Sequence, residues 1–227
     1  MIAYIVTEKR SNYERGPSHA VKLKLEAISG LPCLVQFYED VRLEKLVALG
    51  VRAVVFSGYG TALDEHTLES FAGVYDVVRK GDIPIIGFCG GHQLIAELWA
   101  AHNDAALTRM SSYPIRKLRE YEVDAYPAYN PGQFKEWGFH PIHIVRQDPL
   151  FEGVPNPFMA EEKHMREVKE LPAEFDLLAS TDAVKVQAYR HRTKLIYGTQ
   201  FHCENWIEHY PDGRRLIENF FRIVGIL

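Results

Sequence analysis

The feature that most constrains the fold is an alternation of uncharged, strand-length runs with helical patterns over the first hundred residues. The runs are Ile2–Val6, Cys33–Phe37, Ala53–Phe56 and 83–88, and helical patterns cover 20–28, 41–49, 64–80 and a segment starting near Gly90. Strands without charge are typical of parallel sheets that are covered on both faces. The alternation therefore predicts an α/β fold with an open, mostly parallel sheet and helices on both faces.

The second half of the chain has a different character. Residues 100–132 are polar and rich in tyrosine, and we interpret them as an insertion. Short runs at 142–145, 175–179, 184–189 and 195–201 predict added antiparallel strands, and an amphipathic helix is expected at about 214–224. Because no repeat or linker interrupts this order, the prediction is one domain over 1–227.

Charge and cysteine usage exclude several classes of protein. The 26 Lys and Arg and 30 Asp and Glu give a net charge of -4, which argues against nucleic-acid and polybasic membrane partners. No apolar run approaches the roughly 20 residues that cross a bilayer, and the N-terminus lacks the basic region of a signal peptide. Three cysteines without a CxxC pair fit a reducing compartment. We therefore expect a cytoplasmic protein.

Residues 85–93 carry the sharpest local signal, Ile-Ile-Gly-Phe-Cys-Gly-Gly-His-Gln. A buried strand leads to Cys89, and glycines follow where a helix begins. This pattern is typical of a nucleophile elbow, in which a tight turn exposes the nucleophile and the N-terminus of the helix faces it. Such surroundings lower the pKa of a thiol and supply thiolate at neutral pH. The alternative is a small buried cysteine in a glycine-rich turn.

A cysteine nucleophile needs a base that a third group orients. Residues 197–204 read Tyr-Gly-Thr-Gln-Phe-His-Cys-Glu and place His202 after a predicted strand, with Glu204 two residues later. A His-x-Glu pair alone is common, so its value comes from the cysteine elbow elsewhere in the chain.

Together these segments resemble the class I glutamine amidotransferase family. Residues 87–93 resemble its G-x-C-x-G-x-Q signature, and 197–204 resemble Y-G-V-Q-F-H-P-E. Residues 136–141, 148–155, 164–172 and 178–182 further resemble the glutaminase domain of GMP synthetase and its stand-alone relatives. The resemblance covers about 51–225 apart from the insertion, and it implies the flavodoxin-like fold of that family.

The resemblance also implies roles for individual residues. Cys89 is expected to form a γ-glutamyl thioester with glutamine, His202 to move the proton and Glu204 to orient His202. Backbone N–H groups of Tyr59 and Gly90 are expected to form the oxyanion hole. The residues expected to bind substrate are Gly58, Gln93 and His164. No metal or organic cofactor is implied.

Three positions depart from the family pattern. Tyr59 stands where the oxyanion turn usually has glycine, and Lys163 stands where a serine is expected. Cys203 replaces a proline, and metal ligation by Cys203 with His202 and His209 is an alternative, although a catalytic base cannot also be a ligand.

The leading functional hypothesis is a glutaminase that supplies ammonia to a separate acceptor or synthetase subunit, because no synthetase domain is expected after the closing helix. A stand-alone γ-glutamyl peptidase or hydrolase is the second hypothesis, and a non-catalytic binding protein on the same fold is the third. For the insertion, we expect a lid or partner-docking element, with a solvated excursion as the alternative. The sequence does not indicate an oligomeric state.

Overall fold

A computed structural model describes residues 1–101 and 113–227. The strands in these ranges are β1 (Ile2–Val6), β2 (Cys33–Phe37), β3 (Ala53–Phe56), β4 (Ile85–Phe88), β5 (Glu136–Ile144), β6 (Phe158–His164), β7 (Phe175–Ser180), β8 (Ala188–His191) and β9 (Ile196–Thr199). The α-helices are α1 (Arg10–Arg15), α2 (Ser18–Ser29), α3 (Leu43–Ala48), α4 (Ala72–Arg79), α5 (Gly90–Ala101) and α6 (Asp212–Ile223).

All nine described strands form one open sheet in the order β2-β1-β3-β4-β9-β8-β7-β5-β6. The first five strands in this order run parallel to one another. The other four join by antiparallel pairing. The predicted α/β sheet with added antiparallel strands is therefore confirmed.

Both faces of the parallel half are covered by helices, as the uncharged strands predicted. Alternate residues of a strand point to opposite faces, and Ile2 and Tyr4 of β1 pack in one apolar cluster with residues of α2 and α6. Ala3 and Ile5 pack in a second cluster with residues of α3, α4 and α5. Each strand position thus requires an apolar side chain, which explains why the runs lack charge.

The carboxyl ends of the parallel strands meet at one edge of the sheet. Glu8 follows β1, the 57–60 turn follows β3, Cys89 follows β4, and Gln200 and His202 follow β9. In open α/β sheets ligands bind at this edge. The fold therefore brings together side chains that lie far apart in the sequence.

The predicted helix over 64–80 is wrong in its first half. Segments Leu63–Glu65 and Glu69–Phe71 form short 3-10 helices, and α4 begins only at Ala72. Between them His66 is extended, and its Nδ1 lies 3.0 Å from the Tyr38 hydroxyl. This tertiary contact holds one residue outside the helical region.

Two strands also differ from the prediction. The strand expected over 184–189 begins at Ala188, because Gln187 directs its amide to Glu136 and the pairing with β7 shifts register between Leu177 and Ala179. Strand β6 was not predicted, since Glu161, Glu162 and Lys163 interrupt its apolar pattern. Among the described residues, no helix has the length and apolar character that a bilayer crossing requires.

Candidate active site

Cys89 occupies a strained turn between strand β4 and helix α5. Its φ is 47°, in the left-handed region that residues with a Cβ rarely adopt. The turn is tight because a Cβ on Gly91 would lie 2.7 Å from the Cβ of Phe56, and one on Gly87 would lie 2.5 Å from the backbone of Gly91. The strand and helix therefore approach as closely as a nucleophile elbow requires.

His202 and Glu204 lie beside this turn. Nδ1 of His202 is 2.7 Å from Oε1 of Glu204, and the His202 ring also hydrogen-bonds with the Cys89 thiol. Burial alone would lower the pKa of His202, but Glu204 and Cys89 outweigh it and raise that pKa well above its usual range. The three predicted residues are thus in contact, and the arrangement favours a protonated imidazole beside the sulfur.

The 57–60 turn forms the opposite wall, and Glu8 holds it in place. The Glu8 carboxylate accepts hydrogen bonds from the N–H of Gly60, from the N–H of Thr61 at 3.2 Å and from Asn12 at 2.9 Å. Burial would raise the pKa of Glu8, yet these hydrogen bonds lower it. A carboxylate at the end of β1 therefore anchors the predicted oxyanion turn.

Two glutamine amides connect this wall to the nucleophile. Gln93 donates through Nε2 to the Arg166 carbonyl at 2.8 Å and to Oε1 of Gln200 at 2.9 Å, and Nε2 of Gln200 lies 3.6 Å from Sγ of Cys89. Because a carbonyl only accepts, Arg166 fixes the orientation of both amides. The amide of Gln200 consequently presents an N–H to the sulfur, which stabilises a thiolate.

His164 lies in a buried cluster with two carboxylates. Its Nδ1 is 2.8 Å from the Arg166 carbonyl, so Nδ1 carries a proton. Its Nε2 is 3.0 Å from Glu136 and 3.1 Å from Glu162. These contacts are attractive only when a further proton lies between Nε2 and the carboxylates. The cluster therefore holds an additional proton.

The same three side chains are the metal-ligating candidates of the described residues. Donor atoms of Glu136, Glu162 and His164 lie within 4.8 Å of one another. However, Glu136 already accepts hydrogen bonds from Thr181 at 2.6 Å and Gln187 at 2.7 Å. A shared proton explains the contacts without a cation.

The pKa shifts in this cluster follow from burial and the neighbouring charges. Burial would lower the pKa of His164, but Glu162 and Glu136 raise it well above its usual range. Burial would raise the pKa of Glu136, and its hydrogen bond to His164 lowers it instead. For Glu162 burial dominates and the pKa is raised. Two carboxylates thus share one imidazolium, and Glu162 is the less compensated of the two.

We expect Glu162→Gln to stabilise the protein at neutral and alkaline pH. A raised pKa means that the folded state binds the Glu162 proton more tightly than the unfolded chain does. The wild type therefore loses stability as pH rises from about 4.3 through the raised pKa. The neutral amide imitates the protonated carboxyl, so the two proteins should match near pH 4 and differ by about 1–3 kcal/mol near pH 8. Urea unfolding across this pH range measures the difference.

The exposed Glu208 provides the matched control, because Glu208→Gln removes the same charge at the surface. Its free energy of unfolding should follow that of the wild type at every pH. A Glu162→Gln protein that is less stable than wild type at pH 8 would contradict the expectation, since it would mean that the contact with His164 outweighs the cost of burying the charge.

A cavity of about 310 Å³ opens in front of Cys89 and His202. Its walls include Gly58, Tyr59 and Lys163, whereas the side chains of Gln93 and His164 are almost completely buried behind them. Of the residues expected to bind substrate, only Gly58 therefore lines this cavity.

The described part of the insertion packs against the site. Ile115 is buried and its N–H donates to the Met165 carbonyl at 2.8 Å. The Tyr129 hydroxyl donates to the Gly60 carbonyl at 3.0 Å, and the Tyr126 ring stacks on Trp137 at a centroid distance of 4.6 Å. Residues 102–112, also in the predicted insertion, lie outside the described residues. The segment from 113 onward is thus a wall beside the predicted oxyanion turn.

The other two cysteines occupy different surroundings. Burial raises the pKa of Cys33 to about 11 and raises that of Cys203 far above its usual range. Sγ of Cys203 lies 3.5 Å from the Thr199 hydroxyl, and the residue is completely buried. Both residues belong to an apolar core cluster, as expected for Cys33.

Comparison with known proteins agrees with this geometry. Residues 30–224 match the model of the family Glutamine amidotransferase class-I. The chain belongs to this family. The resemblance seen in the sequence is thereby confirmed, and the matched region includes every candidate site residue except Glu8.

Similar curated proteins include the corresponding subunits of glutamine-hydrolysing GMP synthase from two Pyrococcus species. The Pyrococcus furiosus protein is 30% identical over 185 residues, which are 82% of this chain and 82% of that protein. The Pyrococcus abyssi protein is 29% identical with the same two coverages. The crystal structure of a Thermoplasma acidophilum protein, described as one of the GMP synthase subunits, has a TM-score of 0.72 at 24% identity, covering 99% of this chain and 94% of that one. This structure supports the fold.

Sequence reasoning did not identify Glu8, Gln200, Glu136 and Glu162 as members of the site. Glu8 and Gln200 each follow a parallel strand at the carboxyl edge of the sheet, and that position was a usable signal. Glu162 gave no such signal, because its burial depends on contacts with His164 and Glu136 that form only in the folded chain.

Proposed function

We propose that this protein hydrolyses the side-chain amide of glutamine through a thioester on Cys89. The observation that carries the proposal is Cys89 at φ 47° on the elbow, in hydrogen-bond contact with His202, which is itself 2.7 Å from Glu204. Nucleophile, base and orienting carboxylate are the parts that acyl transfer through cysteine requires.

In the proposed reaction the sulfur of Cys89 attacks the amide carbon while His202 holds the proton. The developing oxyanion accepts hydrogen bonds from the N–H groups of Tyr59 and Gly90. Among the described residues, no protein acceptor takes either of these two N–H groups. His202 then donates its proton to the departing ammonia and afterwards accepts one from the water that cleaves the thioester.

Three features favour the thiolate that begins this reaction. The N-terminus of α5 directs its dipole at Cys89, the imidazole of His202 is charged beside it, and Gln200 donates an N–H to the sulfur. Glu204 contributes indirectly, because it raises the pKa of His202 and so extends the pH range over which the ion pair exists.

We further propose that the ammonia serves a separate synthetase subunit. Support comes from the relatives, which are named as subunits of glutamine-hydrolysing GMP synthase and are covered by this chain over 82% of their length. For the described part of the insertion, we propose that it shapes the catalytic wall, in agreement with the contact between Tyr129 and Gly60.

The test measures ammonia released from glutamine, with and without the synthetase subunit of GMP synthase, and hydrolysis of γ-glutamyl peptides. Ammonia release from glutamine supports the proposal, and stimulation by the synthetase supports the assignment of the acceptor. Cleavage of peptides alone would instead identify a γ-glutamyl hydrolase. Inactivity on all substrates under both conditions would refute the proposed function.

The role of the insertion is tested by Tyr129→Phe. Losing the hydrogen bond to the Gly60 carbonyl should loosen the turn that presents the Tyr59 N–H, so we expect kcat for glutamine to fall about two- to tenfold. Tyr121 of the same segment is 78% exposed and supplies the control variant Tyr121→Phe, with kcat unchanged. Equal kcat values for Tyr129→Phe and wild type would show that this contact does not support catalysis.

A further inference from the structure

Gln93 has one hydrogen-bonding group left for a ligand. Both N–H groups of its amide are used by the Arg166 carbonyl and by Gln200, at 2.8 and 2.9 Å. Only Oε1 remains, and a carbonyl oxygen accepts hydrogen bonds but cannot donate them. A ligand of Gln93 must therefore bring a donor, such as the ammonium group of an amino acid, rather than a carboxylate.

In this structure the Tyr59 hydroxyl occupies that acceptor, at 2.9 Å from Oε1 of Gln93. The Tyr59 ring lies directly on Gly90, so that a Cβ added there would be 2.1 Å from Cδ1 of the tyrosine. Cys89 itself keeps only 4% of its surface exposed. The ring therefore covers the residue whose N–H we propose as an oxyanion donor, next to an almost buried nucleophile.

We propose that Tyr59 is a specificity-determining residue whose hydroxyl competes with substrate for Gln93. This inference rests on the proposed function. An amino-acid substrate binds by displacing the phenol, and its α-ammonium group takes over Oε1 of Gln93. A substrate that lacks a donor at this position gains nothing in exchange for the lost hydrogen bond, so Tyr59 selects for the ammonium group.

The displacement concerns the side chain of Tyr59 rather than its turn. Glu8 accepts from the N–H of Gly60, and Tyr129 donates to the carbonyl of the same residue. The backbone after Tyr59 is thereby held from both sides. Rotation of the side chain can free Gln93 and Gly90 while the N–H of Tyr59 stays in place for the oxyanion.

The test compares glutamine binding to Cys89→Ala and to Cys89→Ala with Tyr59→Phe, measured by calorimetry. Phenylalanine keeps the ring and loses only the competing hydroxyl, so the Kd for glutamine should fall about two- to tenfold. Adding Tyr121→Phe to Cys89→Ala is the control and should leave the Kd unchanged. A hydroxyl that contacts bound substrate would give the opposite sign, and an unchanged or increased Kd with Tyr59→Phe overturns the proposal.

A second measurement separates this proposal from the proposed function. If glutamine binds to neither variant, glutamine is not the substrate and the proposed function fails. Alkylation of Cys89 by iodoacetamide then decides the role of Tyr59 in proteins that retain the cysteine. Tyr59→Phe should increase the alkylation rate about two- to tenfold without moving its apparent pKa, because the ring leaves Gly90 more often. An unchanged or slower rate overturns the proposal.

Discussion

Cys89→Ala should abolish release of ammonia from glutamine, with a loss of about 10⁴-fold or more. No other described thiol can replace it, since burial raises the pKa of Cys33 to about 11 and that of Cys203 still further. The fold should persist, because alanine is smaller than cysteine and carries the same Cβ at the strained φ of 47°. Steady-state assays and circular dichroism measure the two expectations.

The matched control is Cys33→Ala, which removes a buried thiol from an edge strand and should leave turnover unchanged. A glutamine-like electrophile should add to Cys89 of the wild type, and mass spectrometry locates the adduct. An adduct on Cys33 or Cys203 with Cys89 unmodified would contradict the assignment of the nucleophile.

His202→Ala should lower kcat about 10²- to 10⁴-fold, because it removes the group that carries the proton to ammonia and from water. Glu204→Gln should retain measurable activity, since an amide oxygen still accepts from Nδ1 of His202. The charge of Glu204 raises the pKa of His202, so its removal lowers that pKa. The alkaline limb of the pH–rate profile should consequently move to lower pH in Glu204→Gln.

Glu208→Gln is the control for Glu204→Gln, because the same charge is lost from an exposed residue nearby in the sequence. Its pH–rate profile should coincide with that of the wild type. Nearly full turnover by His202→Ala would mean that another residue is the base, and an alkaline limb that stays in place in Glu204→Gln would mean that the carboxylate does not act on His202.

The parallel half of the fold was predictable because its strands are buried on both faces. Every position of β1 needs an apolar residue, so the sequence pattern there is continuous and its ends are sharp. Strand β6 lacks such a pattern, since Glu162 is buried only through its contact with His164, which is paired to Glu136 of the neighbouring strand. Likewise the contact between His66 and Tyr38 interrupts a segment with helical periodicity.

The candidate nucleophile and base were predictable for a different reason. Cys89 and the pair His202 and Glu204 each lie in a short segment whose local geometry is fixed by a strand end and a turn. The position of the Tyr59 ring was not predictable, because it depends on Gly90 and Gln93, which contact it only after β3 and β4 pair.

The close packing around the elbow has a consequence for judging distant relatives. Gly87 and Gly91 lie where a Cβ would meet neighbouring atoms at 2.5 and 2.7 Å, so their substitution would push helix α5 away from the sheet. Selection for a folded chain alone would therefore keep both glycines, even in a descendant that no longer performs chemistry. In such a pseudoenzyme the glycine pattern would survive, and only the loss of Cys89, His202 or Glu204 would reveal the change.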